Sequence, residues 1–106
     1  MPNKYRAIKT VVDGIRFDSK REAARYVQLR TLLRARKIGD LRCQVRYELV
    51  VNGHKIGRYT ADFVYWEFGE QVVEDVKSPA TKKARDYVLR KKLMLAIHGI
   101  EIRETL

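Results

Sequence analysis

Apolar positions along the chain recur at two spacings, and the spacing changes at a few polar or glycine-containing breaks. Arg42–Val51 and His54–Trp66 alternate in the period of a strand and are rich in Tyr, Val and Ile. Asn52-Gly53 between them is the strongest short signal for a hairpin turn. A second turn over Glu67–Glu70 leads into a third strand over Gln71–Lys77, which Ser78-Pro79 stops. Upstream, Ala23, Tyr26, Leu29 and Leu33 fall on one stripe at about 100° per residue, the signature of an amphipathic helix. Ser19 suits its N-cap, Glu22 three residues later completes a capping-box pattern, and the helix is expected to run to about Lys37 with Gly39 just past its end. A second helix is expected over about Thr81–His98, ending at Gly99, with a closing strand over Ile100–Arg103. Residues 5–12 read as a short extended segment, and Asp13-Gly14 as a turn into the segment that precedes the first helix. The order helix, three-stranded meander, helix, strand predicts an α/β fold with a mixed central β-sheet flanked by two main helices. No linker or repeat divides residues 1–106, so a single domain is expected.

Composition narrows what such a domain does. The chain has 106 residues, 23 of them Lys or Arg against 13 Asp or Glu, for a net charge of +10. At 45% hydrophobic residues it has the means to build a core and is too apolar for a disordered polybasic tail. The excess positive charge favours a polyanionic partner, nucleic acid before anionic membrane, since neither helix separates a clean apolar face from a basic one. Cys43 stands alone, which excludes an intramolecular disulfide and a cysteine-based zinc site and leaves it as a small hydrophobe in a strand. The N-terminus has no signal-like apolar run, and the uncharged run Leu93–Ile100 is too short to span a bilayer. A soluble, cytoplasmic protein is expected.

Four residues are polar where the local pattern calls for apolar. Glu22 lies inside the apolar stripe of the first helix, beside Tyr26 and Leu29, where a carboxylate is costly unless paired or metal-bound. Asp62 interrupts a strand, and strict alternation puts it on one face with Thr60, Val64 and Trp66. In the third strand Val73, Asp75 and Lys77 share one face, while Glu74 points the other way with Val72 and Val76. Each feature alone has a plain structural explanation, as a capping box, an edge-strand charge or a surface ion pair. Together they are more specific, because adjacent antiparallel strands bring Asp62 and Asp75 together. Two carboxylates and a strand carbonyl make an oxygen-rich site suited to Mg²⁺ or Mn²⁺, with a lysine beside it to orient a water or stabilise charge on a phosphate.

Thr60-Ala61-Asp62 followed by Glu74-Asp75-Val76-Lys77 resembles the PD-(D/E)xK nuclease signature, with Ala61 where the signature often has Pro. Glu22 is similarly placed to the helix glutamate of many members, including archaeal-type Holliday-junction resolvases. Lys4-Tyr5, Asp13-Gly14-Ile15, Phe17-Asp18-Ser19-Lys20, Glu22-Ala23 and Tyr59-Thr-Ala-Asp-Phe63 extend a closer resemblance over essentially the whole chain. It is to a family of small phage-encoded endonucleases long catalogued as a domain of unknown function. The resemblance implies a restriction-endonuclease-like core and a metal-dependent DNA endonuclease. It also implies that Asp62, Asp75 and the Val76 carbonyl hold Mg²⁺ or Mn²⁺, that Glu22 completes the shell directly or through water, and that Lys77 positions the attacking water.

Basic residues decorate both helices, and Lys20, Arg21, Arg25, Lys82, Lys83 and Lys91 are the candidates for DNA contact; Lys91 emerges from an apolar stripe. The second helix is apolar on two sides, which suits a homodimer that cuts two strands. Branched or recombination-intermediate DNA is the expected substrate. The alternatives are a sequence-selective or nicking endonuclease and a non-catalytic basic DNA-binding module.

Overall fold

The computed structural model describes residues 9–105, and residues 5–8 of the expected N-terminal extended segment lie outside them. Strands β1 (Thr10–Val12) and β2 (Ile15–Phe17) form a small antiparallel hairpin around Asp13-Gly14. Both turn residues have positive φ, 52° and 76°, the geometry that matches the twist of a two-residue hairpin. Helix α1 (Lys20–Arg34) follows, with the Ser19 side chain accepting the Glu22 N–H as expected of an N-cap. Strands β3 (Gly39–Val51), β4 (His54–Glu67) and β5 (Glu70–Val76) form an antiparallel meander. A single 3₁₀ turn (Thr81–Lys83) precedes helix α2 (Arg85–His98), and strand β6 (Arg103–Thr105) closes the sheet parallel to β5. The sheet order is β3-β4-β5-β6, so the fold is α/β with a mixed four-stranded sheet and two helices.

Three boundaries differ from the sequence expectation. Helix α1 stops at Arg34, not Lys37, because Arg36 takes the left-handed conformation (φ 59°) usually given to glycine. The Lys37 N–H then donates to the Leu32 carbonyl and the Arg36 N–H to Leu33, which satisfies the last turn. Helix α2 starts at Arg85, since a Ser78–Thr81 hydroxyl network folds the preceding residues into the 3₁₀ turn. The closing strand lies at 103–105 because Ile102 is spent on the core, 5% exposed, as the chain returns from α2.

The sheet has a core on each face. On the α1 side Phe17, Ala23, Tyr26 and Leu29 pack against Phe63, Tyr65 and Val76. On the α2 side Tyr87, Met94 and Ile102 pack against Leu49, Tyr59, Ala61, Val64 and Val73. No helix among the described residues is long and apolar enough to cross a membrane.

Candidate active site

The site forms where β4 and β5 part. Their ladder runs from Glu67↔Glu70 to Phe63↔Glu74, and the next pair in that register is Asp62 opposite Asp75. No ladder bond is made there. The Val76 N–H instead donates to Asp62 Oδ2 at 2.8 Å, so a side chain substitutes for the strand carbonyl that β4 no longer supplies. A residue's N–H and C=O leave an antiparallel strand on the same edge, so the Val76 carbonyl also emerges toward Asp62.

The faces of β3 and β4 switch at the same level. Val45 and Ala61, paired in register, belong to the α2-side core, whereas the next pair, Cys43 and Phe63, belongs to the α1 side. Gln44, between them, has φ 55°, a left-handed conformation that costs a non-glycine residue about 1–2 kcal/mol. Its side chain is tied to the Arg16 carbonyl at 2.9 Å. Strict alternation therefore fails at Asp62: Val64 packs with Tyr59 and Ala61 on the α2 side, and Asp62 and Thr60 line an open groove with Glu22.

Asp75 is 2% exposed. Its Oδ2 accepts from the buried Tyr59 hydroxyl at 2.5 Å, and the Lys77 ammonium lies 3.1 Å from its Oδ1. That ion pair lacks hydrogen-bond geometry, so Oδ1 is a buried oxygen without a hydrogen bond. Lys77 also stands over the Tyr87 ring, 4.6 Å from its centre, which fixes the amine at the rim. Burial pushes the Asp62 carboxyl well above the usual carboxylate range, and the neighbouring Asp75 and then Glu22 push it the same way. Glu22, half-buried in the first turn of α1, is raised by burial and by Asp18, with Lys77 opposing and Asp75 adding. Asp62, Glu22 and Asp75 thus form one cluster of neighbouring carboxyls, with Lys77 beside it.

Among the described residues Lys77 is the one cation in an ion pair with this cluster. Each of Asp62 and Asp75 has one oxygen anchored by the protein, the first by a backbone N–H and the second by a tyrosine, and Asp75 has a second oxygen with no hydrogen-bond donor. Among the described residues no group of three or more His, Cys, Asp or Glu side chains is placed to hold a metal ion, which leaves the two aspartates as the donor pair. The donors fit the mode of Mg²⁺, which binds through one or two carboxylates and keeps waters and substrate phosphate for its remaining positions.

Glu74 lies on the other face, as strand alternation requires. It is fully buried and takes a two-pronged ion pair from Arg25, at 2.7 and 2.9 Å, and the Tyr65 hydroxyl at 2.6 Å. Arg25, grouped from sequence with the DNA-contacting cations, is thus committed inward to Glu74, because a buried carboxylate demands a charged partner. Lys91 is likewise away from the acidic cluster: its amine sits 3.3 Å from Glu104, which also accepts from the Tyr87 hydroxyl. Lys20 and Arg21, in the first turn of α1, and Lys82 and Lys83, in the 3₁₀ turn before α2, are exposed.

Two neighbouring grooves flank the carboxylates. One, of about 540 Å³, has Glu22 and Asp62 with Arg16, Arg46 and Arg58 around them. The other, of about 300 Å³, shares Arg58 and Thr60 and reaches Asp75, Lys77 and Arg90. Sequence reasoning passed over Tyr59, Gln44 and these arginines. The one available signal was that Tyr59 directly precedes Thr60-Ala61-Asp62. No curated protein and no solved structure matches the chain. Residues 2–105 match the family model described as protein of unknown function (DUF1064), and the chain belongs to that family.

Proposed function

We propose that this protein is a metal-dependent DNA endonuclease with a restriction-endonuclease-like core, in which Asp62, Asp75 and the Val76 carbonyl hold Mg²⁺ or Mn²⁺. The observation that carries the reading is the placement of Asp62 opposite Asp75 at the splay of two strands, with Lys77 against Asp75 and Glu74 on the opposite face. When bound there, a divalent ion would supply positive charge to a phosphate oxygen and would make a water more acidic. Glu22 completes the acidic shell from α1, directly or through water. Lys77 holds the attacking water at the rim and stabilises the charge that builds on the phosphate as the phosphodiester bond breaks. Tyr59 and the Val76 N–H keep the two carboxylates from swinging away.

The +10 charge supports DNA as the partner. Leu89 and Leu95 on α2 stay exposed, at 57% and 55%, which supports pairing of two copies and, with it, paired cuts in branched DNA. The reaction takes place in the cytoplasm in this reading. The test is cleavage of plasmid and of a four-way junction against duplex of equal length, in Mg²⁺, Mn²⁺, Ca²⁺ and EDTA. Cutting in Mg²⁺ or Mn²⁺ only, with the junction preferred, is the expected result. Cutting in excess EDTA would remove the metal, and DNA retention without cutting in any metal would leave a binding module.

A further inference from the structure

We propose that the phosphodiester backbone is gripped by an arginine track on the β3–β4 hairpin, Arg46 and Arg58 with Arg16 from β2, and not by the lysines of the helices. The proposal rests on the nuclease reading for its ligand. Arg46 is paired in register with Thr60, and Arg58 is two residues from Thr60, so the three share one face of the hairpin. Cross-strand diagonal neighbours lie about 7–8 Å apart, close enough for two guanidinium groups to act on neighbouring phosphates. Arg58 borders both grooves; Glu22 and Asp62 line the first and Asp75 the second. Among the described residues the side chains of Arg16, Arg46 and Arg58 make no ion pair, although Lys55 does pair with nearby Glu48. Four other candidate cations are placed otherwise. Arg25 is held by Glu74, and Lys91 by Glu104. Lys82 and Lys83 border a separate groove of about 370 Å³, between α2 and the end of the chain, that also contains Glu101 and Glu104. Arginine is also the better phosphate ligand, since its planar fork donates two hydrogen bonds at once.

The test measures binding without cutting. Anisotropy of labelled duplex and junction DNA is followed in EDTA over a range of salt for Arg46→Ala/Arg58→Ala, Lys82→Ala/Lys83→Ala and the wild type, each checked for folding by thermal melting. The hairpin variant should lose on the order of tenfold in affinity and about 2 in the slope of log K against log salt, while the helix variant changes little. Arg46→Lys/Arg58→Lys should recover the slope more fully than the affinity. Equal losses in the two alanine variants, or a larger loss in the helix variant, would overturn the track. Because no cleavage is read, a wild type that binds this way yet never cuts would overturn the nuclease reading alone.

We also infer that Tyr59 is a positioning residue for the metal site. Its ring is in the α2-side core, 3% exposed, and its hydroxyl spends its hydrogen on Asp75 Oδ2, which leaves Oδ1, beside the Lys77 ammonium at 3.1 Å, as the oxygen without a hydrogen bond. Tyr65 is its counterpart on the other face, equally buried and donating to Glu74. Mn²⁺ binding by calorimetry, without DNA, separates positioning from stability. Tyr59→Phe should weaken Mn²⁺ binding about 10- to 100-fold, the effect usual for a residue behind a ligand, while Tyr65→Phe lowers the melting temperature but leaves Mn²⁺ affinity unchanged. Unchanged Mn²⁺ affinity in Tyr59→Phe, or an equal loss in both variants, would overturn the inference and leave the metal site standing. A wild type that binds no Mn²⁺ would overturn the metal site itself.

Discussion

Glu74 and Asp75 are neighbours on β5, both essentially buried, and their surroundings are opposite. Glu74 on the α1 side has a guanidinium and a phenol, so every charge taken from water is answered within the protein. Asp75 on the α2 side has a phenol on one oxygen, an off-line ammonium near the other, and a second carboxyl facing it from Asp62. One strand thus carries a completed ion pair on one face and an incomplete charge cluster on the other. A buried acid with full partners holds a fold together, whereas an under-partnered pair of acids is costly to the apo-protein and is tolerated where a cation or substrate completes it.

The largest effect expected from breaking this contrast is on the Asp75 face. Asp75→Asn or Lys77→Ala should lower cleavage on the order of a hundredfold or more while DNA binding persists, as for the loss of a charge-stabilising group. Cleavage rates and gel mobility on the same junction check this. The mirror-image prediction is for Glu74. Glu74→Gln should retain far more activity than Asp75→Asn, yet it leaves Arg25 without its counter-charge. A loss of about 3 kcal/mol in urea unfolding is expected, the low end for breaking a buried pair because Arg25 is 21% exposed.

A smaller effect concerns pH. Asp62 and Glu22 have folded-state values raised above their ordinary 3.8 and 4.5, mainly by burial. The folded protein therefore holds more protons than the unfolded chain above those values. The favourable contribution of these groups is complete below their unfolded values and is lost as pH rises through the raised folded ones. Metal-free protein should melt at a lower temperature at pH 8.5 than at pH 5.5 in this respect, and Asp62→Asn should flatten the difference. Added Mg²⁺ should raise the melting temperature more at pH 8.5 than at pH 5.5, because fewer protons must leave the carboxyls when it binds. The smallest effect is expected at Lys91: its pair with Glu104 is partly exposed, so Lys91→Ala should change stability by less than about 1 kcal/mol and cleavage by less than about twofold.

How much of this was legible in the sequence follows from how local each cause is. The Ser19 cap, the Asn52-Gly53 turn, the end of α2 at Gly99 and the opposite facing of Glu74 and Asp75 are set by neighbours a few residues away, and all were readable. The splay at Asp62 was not, because it depends on the left-handed Gln44 of another strand, and nothing in a period-2 pattern announces a face switch. The inward commitment of Arg25 was hidden for the same reason, since its partner Glu74 lies 49 residues away. The bounds of β6, 103–105 and not 100–103, were missed because Ile100 and Ile102 look like strand residues and serve as packing instead.

The most direct measurement is junction cleavage in Mg²⁺ and in EDTA by three proteins side by side: wild type, Asp75→Asn and Glu74→Gln. Metal-dependent cutting by the wild type and Glu74→Gln, with Asp75→Asn silent, is the predicted result. Cutting by Asp75→Asn with Glu74→Gln silent, or cutting by the wild type in EDTA, would contradict the assignment of the Asp62–Asp75 cluster as the metal-dependent active site.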